Sequence, residues 1–369
     1  MTTERVPPRP PVTIRRLVGM AMAATWLMCS PVAAGSATAS PAAASDLTAV
    51  VTEFVGAAPG GASVLVVRDG VETAVTAGAA SSDGTAIAPE TRFRVASISK
   101  MFVAAMVLQL VDEGAVDLDA ALSTYVPEAV VGGDVPVRLL LRHRSGLVGY
   151  MEDEAFLVDQ TSDPDRVFTP DELLEYTTDT PAGEPDTEWV YTNTNFILLG
   201  QLIEAVDGTD LNAALQARIT GPLGLASTQF EIAGGPPQAD LAEPWAYDPY
   251  LGEPNTSYAS VASGMWAAGA VVSSPADIHA FLSALVGGGV LSEASFAEMT
   301  DPGQDGGYGL GIEILTFPSG TVYYGHRGEA LGYRSFAGIE PTTGDAVVVL
   351  TNNSDLDAVA LSDLITADW

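Results

Sequence analysis

The chain has 369 residues, 47% hydrophobic and 17% charged, enough for one large folded domain or two that share a site. A formal net charge of −32 speaks against a nucleic-acid partner, whose phosphates it would repel. The one cysteine, Cys29, lies near the N-terminus, so the rest of the chain has no thiolate for zinc and no disulfide.

Residues 1–44 carry the pattern of a signal peptide. Arg5, Arg9, Arg15 and Arg16 precede an apolar core from Leu17 to Cys29, and small residues follow with cleavage sites at Val32-Ala33-Ala34 or Ala37-Thr38-Ala39. That core is too short to span a bilayer. Arg15-Arg16 permits a twin-arginine signal with weakly fitting flanks, and Trp26-Leu27-Met28-Cys29 is a poor lipid-attachment site. The expectation is a soluble, secreted monomer with no membrane attachment after export.

Leu47 to Val55 suggests a short helix. Ala62–Arg68 and Val71–Thr76 are β-rich runs joined by Asp69-Gly70, a hairpin signal. Phe93-Arg94-Val95-Ala96-Ser97-Ile98-Ser99-Lys100 then leads into Met101–Asp112, which is apolar almost all round and belongs inside a domain. Gly114 stands at a C-terminal cap position. Ser97 and Lys100, three apart, share one helix face. Lys100 is the only lysine in the chain. A serine hydroxyl becomes a good nucleophile when a base takes its proton, and a lysine serves as that base where burial favours its neutral form. The helix N-terminus offers N–H groups for a developing oxyanion. A surface lysine beside a capping serine is the competing reading of this spacing alone.

Val116–Tyr125 reads as a loop and short helix, and Val137–Arg142 as a helical turn entering His143-Arg144-Ser145-Gly146-Leu147. Thr169-Pro170-Asp171-Glu172 is a capping box with proline at the first helical position. Asn195–Val206 reads as a buried helix, and Ser274-Pro275-Ala276-Asp277 starts another that runs to about Leu285. On the loop before Asn195, Tyr191 offers a phenol that a nearby ammonium would help to ionise. Asn193 offers a donor and an acceptor for a substrate amide. A buried tyrosine followed by a helix-capping asparagine is the alternative there.

After Gly287-Gly288-Gly289 the pattern returns to strands: Tyr308–Leu315, Thr321–His326, Tyr333–Ile339 and Ala346–Thr351, with a closing helix from about Leu356 to Ile365. His326, Arg327, Gly328 and Glu329 run off one strand end. Gly328 lets a substrate approach the backbone closely, and the Glu329 N–H can join that of Ser97 as an oxyanion hole. His143 and His279 read as structural. Strands at both ends and helices between predict an α+β fold: an antiparallel sheet from residues 45–115 and 290–369, with a helical domain at 116–289.

No G-x-S-x-G elbow, H-E-x-x-H pair or phosphate-binding lysine loop occurs. The three elements Ser97-x-x-Lys100, Tyr191-x-Asn193 and His326-x-Gly328, in this order, resemble the penicillin-recognising serine hydrolases. Among these, secreted D-alanyl-D-alanine carboxypeptidases and class C β-lactamases are closest. Phe93-Arg94-Val95, Leu108 to Gly114, His143 to Leu147 and Tyr191 to Phe196 are similar to the carboxypeptidases in particular. The resemblance implies a five-stranded antiparallel sheet, an inserted helical domain, and a site between them that needs no metal or cofactor. It implies that Ser97 attacks the carbonyl, that Lys100 and Tyr191 move its proton, that Asn193 holds the substrate amide, and that His326 to Glu329 bind the substrate backbone. A small peptide, ester or lactam is the implied substrate. Two departures bear on which one. Gly309-Leu310-Gly311-Ile312 is followed by Glu313 where a carboxypeptidase has an arginine for the terminal carboxylate, and Arg327 and Glu329 stand where threonines are expected. A D-Ala-D-Ala carboxypeptidase-like hydrolase is therefore the first expectation, with an esterase, another D-amino acid amidase or peptidase, a slow β-lactamase and a non-catalytic penicillin-binding sensor as the alternatives.

Overall fold

The computed structural model describes residues 44–163, 165–177, 183–232, 240–245, 259–317, 319–367 and 369. The signal-peptide reading falls, apart from Ala44, outside these residues. Helix α1 (Ala44–Val55) precedes a hairpin of β1 (Gly61–Arg68) and β2 (Val71–Gly78). Asp69 and Gly70 in its turn both take positive φ, 51° and 74°, as a two-residue hairpin turn of this kind requires. Strand β3 (Phe93–Arg94) passes through one 3₁₀ turn (Ala96–Ile98) into α2 (Ser99–Asp112). Then come α3 (Val137–Leu141), α4 (Glu154–Ser162), α5 (Pro170–Glu175), α6 (Thr194–Asp207), α7 (Leu211–Leu215) and α8 (Gly221–Leu223). Strand β4 (Gln229–Phe230), α9 (Ala259–Gly269), β5 (Val271–Ser273), α10 (Pro275–Val286) and α11 (Glu293–Thr300) follow. The chain closes with β6 (Glu313–Thr316), β7 (Val322–Ala330), β8 (Tyr333–Ile339), β9 (Ala346–Thr351) and α12 (Ala358–Thr366).

The main sheet has the order β2-β1-β9-β8-β7-β6, antiparallel throughout. Both chain ends meet at its centre, where Ala62–Val67 of β1 pairs with Thr351–Ala346 of β9. Its six strands correct the five that the family resemblance implied. The extra one, β6, is a short edge, and it is shorter than the run read from Tyr308 because residues 308–312 fold into a turn. Gly311 takes φ 71° there, and the Gly309 N–H donates to the Ile312 carbonyl. A second sheet, β3-β5-β4, was not foreseen; strands of two or three residues are too short to show an alternating pattern.

Alternation along the strands sorts the core into two layers. Val64, Val66, Phe336, Val347 and Val349 pack with Val51 of α1 and Leu361 and Ile365 of α12. Leu65, Ala337, Val348 and Leu350 face the larger cluster that contains α2, α6 and α10. Helix α10 packs on β1, β8 and β9, so the chain has returned to the sheet before residue 289, the boundary read from sequence. Helix α2 lies at the centre, with Ser99 to Leu108 all buried to within 1% exposure, as its all-round apolar sequence demands. Thr169 and Glu172 make the predicted capping box, and Ser274 caps α10 through the Asp277 N–H. Among the described residues no helix is long and apolar enough to cross a membrane.

Candidate active site

Three interactions fix the turn that carries Ser97. The Val95 N–H donates to the Val271 carbonyl at 2.9 Å, the Ser335 hydroxyl donates to the Val95 carbonyl at 2.8 Å, and the Ser99 hydroxyl accepts from the Val271 N–H at 3.0 Å. Between them Ala96 is held at φ 48°, a region an L-residue enters only when its surroundings impose it. The 3₁₀ turn brings Ser97 to the partly exposed mouth of α2, while Lys100, one turn on, is wholly buried.

The Lys100 amine has three partners. Its Nζ lies 2.9 Å from Ser97 Oγ, 2.8 Å from Asn193 Oδ1 and 2.8 Å from the Ala268 carbonyl oxygen. Burial pushes this amine well below the usual lysine range, against a smaller upward pull from the Glu313 carboxylate. A neutral amine has two N–H donors and one lone pair. Asn193 Oδ1 and the Ala268 carbonyl can only accept, so they take the two donors, and the lone pair faces the Ser97 hydroxyl. The Tyr191 hydroxyl donates to Ser97 Oγ at 2.8 Å. The sequence suggested a phenol ionised by a nearby ammonium. Here burial dominates and raises the Tyr191 phenol, with the Ser97 hydrogen bond a lesser opposing effect, so Tyr191 is a neutral donor.

Asn193 sits at the N-terminus of α6 without a side-chain capping bond, which removes the capping alternative. Its Oδ1 holds the lysine, and its Nδ2 reaches Met151 Sδ at 2.7 Å. Both ends of the amide thus have protein partners, whereas the sequence reading left them open for substrate.

Strand β7 forms the other wall. Beyond Gly325, where β6 stops, its edge has no strand partner among the described residues. A Cβ on Gly328 would lie 2.4 Å from the Val95 carbonyl oxygen and 3.1 Å from the Ala96 Cβ, so only glycine lets β7 run this close to the nucleophile turn. Alternation places His326 and Gly328 on the site side, and Arg327, opposite Phe336, on the other. His326 is buried, and its Nδ1 donates to the Arg327 carbonyl while its Nε2 accepts from the Tyr308 hydroxyl at 3.1 Å. Burial, reinforced by Lys100, lowers this imidazole to about 3, so it is neutral. The Arg327 N–H donates to the Glu313 carboxylate and therefore points off the open edge. The Glu329 N–H, two residues on, points the same way, toward the Ser97 turn. The Glu329 side chain plays no part in this; it is exposed and pairs with Arg334 at 3.0 Å.

Glu313 does not lie open to substrate as the sequence suggested. Its carboxylate is 4% exposed, bonded to Arg327 Nε at 2.7 Å and 3.6 Å from His326 Nδ1. Burial raises its pKa above the usual carboxylate range, opposed by Arg327.

His143, read as structural, lies beneath Tyr191. Its ring is 4.3 Å from that of Tyr191 and 5.0 Å from that of Tyr308, and its Nδ1 accepts from the Thr192 N–H at 3.3 Å. Its segment also receives the Tyr191 loop: the His143, Arg144 and Gly146 carbonyls accept from the Val190, Asp186 and Gly183 N–H groups. Ala268, Met151 and Tyr308 complete the site and were not found from sequence. A backbone carbonyl and a thioether leave no residue signature, whereas Tyr308 stands immediately before the Gly-Leu-Gly turn. Among the described residues no cluster of His, Cys, Asp or Glu is arranged to hold a metal ion.

The Bacillus subtilis protein PbpX, named for penicillin binding, is 25% identical over 268 residues, covering 72% of this chain and 63% of the relative. A D-aminopeptidase of Brucella anthropi is 36% identical over 176 residues, covering 47% of this chain and 33% of the relative. The chain thus matches less than two thirds of the length of either. The D-amino acid amidase of Ochrobactrum anthropi SV3, solved with L-phenylalanine amide, superposes with a TM-score of 0.76 at 26% identity, covering 87% of this chain and 96% of that one. The family model described as Beta-lactamase matches residues 47–367, and with the sheet, the helical layer and the serine–lysine–tyrosine geometry between them, the chain belongs to the Beta-lactamase family.

Proposed function

We propose that this protein is a serine hydrolase that opens an amide or ester bond on the carbonyl side of a D-configured residue through an acyl-enzyme at Ser97. The observation that carries the reading is the Ser97 hydroxyl held between Lys100 Nζ at 2.9 Å and the Tyr191 hydroxyl at 2.8 Å. Ser97 Oγ attacks the carbonyl carbon and its proton passes to the neutral Lys100 amine, while the N–H groups of Ser97 and Glu329 receive the carbonyl oxygen as it becomes negative. As the tetrahedral adduct collapses, Tyr191 gives its proton to the departing nitrogen or oxygen, and the Lys100 ammonium restores it. Water, deprotonated by the same amine, then attacks the acyl carbon; as the bond to Ser97 Oγ breaks, the Lys100 ammonium returns that proton to Oγ and the acid is released. Asn193 and the Ala268 carbonyl hold Lys100 Nζ against the serine, so that its lone pair faces Ser97 whenever the amine is neutral.

The preference for a D-residue rests on the D-aminopeptidase and D-amino acid amidase relatives. A second reading, removal of a C-terminal D-alanine, draws on the carboxypeptidase-like flanks and the penicillin-binding relative. Export as a soluble monomer through residues 1–44 is part of the proposal, and the N-terminus and mass of the extracellular protein test it.

The enzymatic test compares D- and L-phenylalaninamide on one preparation, with fluorophosphonate labelling of Ser97 as the control. Turnover of the D-amide, with labelling abolished in Ser97→Ala, is the expected result. A folded wild-type protein that neither labels nor turns over either enantiomer would favour the non-catalytic sensor.

A further inference from the structure

We infer that the buried Glu313 carboxylate sets the charge of the leaving group: this enzyme acts on D-aminoacyl bonds whose departing part is neutral or cationic, and discriminates against one that ends in a free carboxylate. The inference rests on the hydrolase reading above and adds the substrate class to it.

The direction of the substrate follows from the proton path. The departing atom must reach the Tyr191 hydroxyl, which is the donor nearest Ser97 Oγ. The Tyr191 ring lies 6.3 Å from that of His326 and packs edge-on to Tyr308, so the departing group lies toward the His326 end of β7 and not toward Ala330. There it meets the first open edge positions of the strand. The groups at that end are the neutral His326 imidazole, the Arg327 N–H, and Glu313, which holds that N–H.

Glu313 therefore does two things at once. It occupies the Arg327 N–H that a substrate carboxylate would need, and it puts a negative charge beside the position that carboxylate would take. Arg327 does not supply a free cation in exchange. Its Nε is committed to Glu313 at 2.7 Å, and its side chain leaves β7 on the face away from His326 and Gly328. A second carboxylate there would find that N–H taken and would approach the carboxylate end of the Glu313–Arg327 ion pair across a poorly hydrated wall, which costs more than the same approach in water.

The test uses two substrates that differ only in this charge, D-alanyl-D-alanine and D-alanyl-D-alaninamide, with the release of D-alanine or D-alaninamide followed directly. The wild type is expected to favour the amide by at least about tenfold in kcat/KM, and Glu313→Gln to shrink that ratio to within about threefold. Arg327→Gln, which leaves the carboxylate without its cation, is expected to widen the ratio, so the two variants move it in opposite directions. Equal or better use of the free acid by the wild type overturns the inference, and so does a ratio that stays constant in both variants. Fluorophosphonate labelling of Ser97 is run on every preparation: labelling with the wrong preference refutes the leaving-group assignment alone, while loss of labelling and of all turnover in the wild type refutes the hydrolase reading beneath it.

Discussion

Replacing Lys100 by methionine keeps an unbranched apolar stem in the core and removes one amine, so it separates chemistry from packing. Among the described residues the amine is the only group positioned to take the Ser97 proton while Tyr191 stays protonated. A positioned general base typically contributes 10²–10⁴-fold, or about 3–5 kcal/mol of barrier, and acylation is expected to fall by that factor. The fold should survive. Asn193 Oδ1 and the Ala268 carbonyl lose their donor, a cost of about 1–3 kcal/mol each where no water replaces it. Against that, the wild type keeps an ionisable amine neutral in a fully buried place, and methionine does not.

The pH dependence gives the sign of that last effect. Below about pH 10.4 the unfolded chain binds a proton at Lys100, and the folded chain does not until the pH reaches its depressed value. Wild-type stability therefore declines as the pH falls through this window and levels off below the folded value. Lys100→Met lacks that slope. The assay is the burst of nitrophenol from a short-chain nitrophenyl ester for acylation, with urea unfolding at a series of pH values for stability. Acylation within about threefold of wild type, in a variant shown to be folded, would remove the lysine from the mechanism.

Tyr191→Phe keeps the ring packed on His143 and removes the hydroxyl; acylation by an amide should drop about a hundredfold or more, and by a nitrophenyl ester much less, since nitrophenolate departs without a proton. Equal losses on both substrates would argue against proton delivery by the phenol. Gly328→Ala puts a methyl 2.3 Å from Ser335 Oγ and 2.4 Å from the Val95 carbonyl oxygen, so β7 must move off the Ser97 turn. Labelling of Ser97 should be lost while the urea midpoint shifts only moderately, and an unchanged labelling rate contradicts this packing. His326→Gln addresses acid stability. Because the folded imidazole titrates near 3 and the unfolded one near 6.5, the wild type should lose up to roughly 5 kcal/mol as the pH falls across that range, and the glutamine variant should lose correspondingly less. Superimposable acid limbs for the two proteins would show that His326 is not held neutral.

The side chains that converge on Ser97 were legible because each has a chemistry that its position makes improbable otherwise. A lone lysine opening an apolar helix points toward burial over the competing surface reading, and a serine three residues before it lies on the same face. What stayed hidden is what has no side-chain signature or depends on partners far along the chain. The Ala268 carbonyl that orients Lys100 comes from the end of α9, a helix whose Trp266 breaks regular geometry at φ 36°. Glu313 was legible as a misfit but not as a partner: only the β6–β7 register, with Glu313 opposite Gly325, shows that its carboxylate reaches the next open N–H of the edge. The state of Tyr191 was misjudged for a related reason. The sequence suggests a cation nearby, and the depth of the site converts that cation into a neutral amine.

That conversion also explains why Arg327 matters to a reaction it does not touch. Glu313 pulls the Lys100 amine toward its charged form, and a charged lysine cannot accept the serine proton. Arg327 lowers and neutralises the carboxylate, so the pull on Lys100 is that of an ion pair and not of a bare anion. The two histidines beside it add no charge, because each is lowered by burial first and by Lys100 next. The site thus keeps its base neutral by depth and confines its one nearby negative charge to a salt bridge at the edge of β7. On the leaving-group direction proposed above, the same salt bridge would also stand where the departing group passes, so one ion pair would bear both on the charge of Lys100 and on what is released.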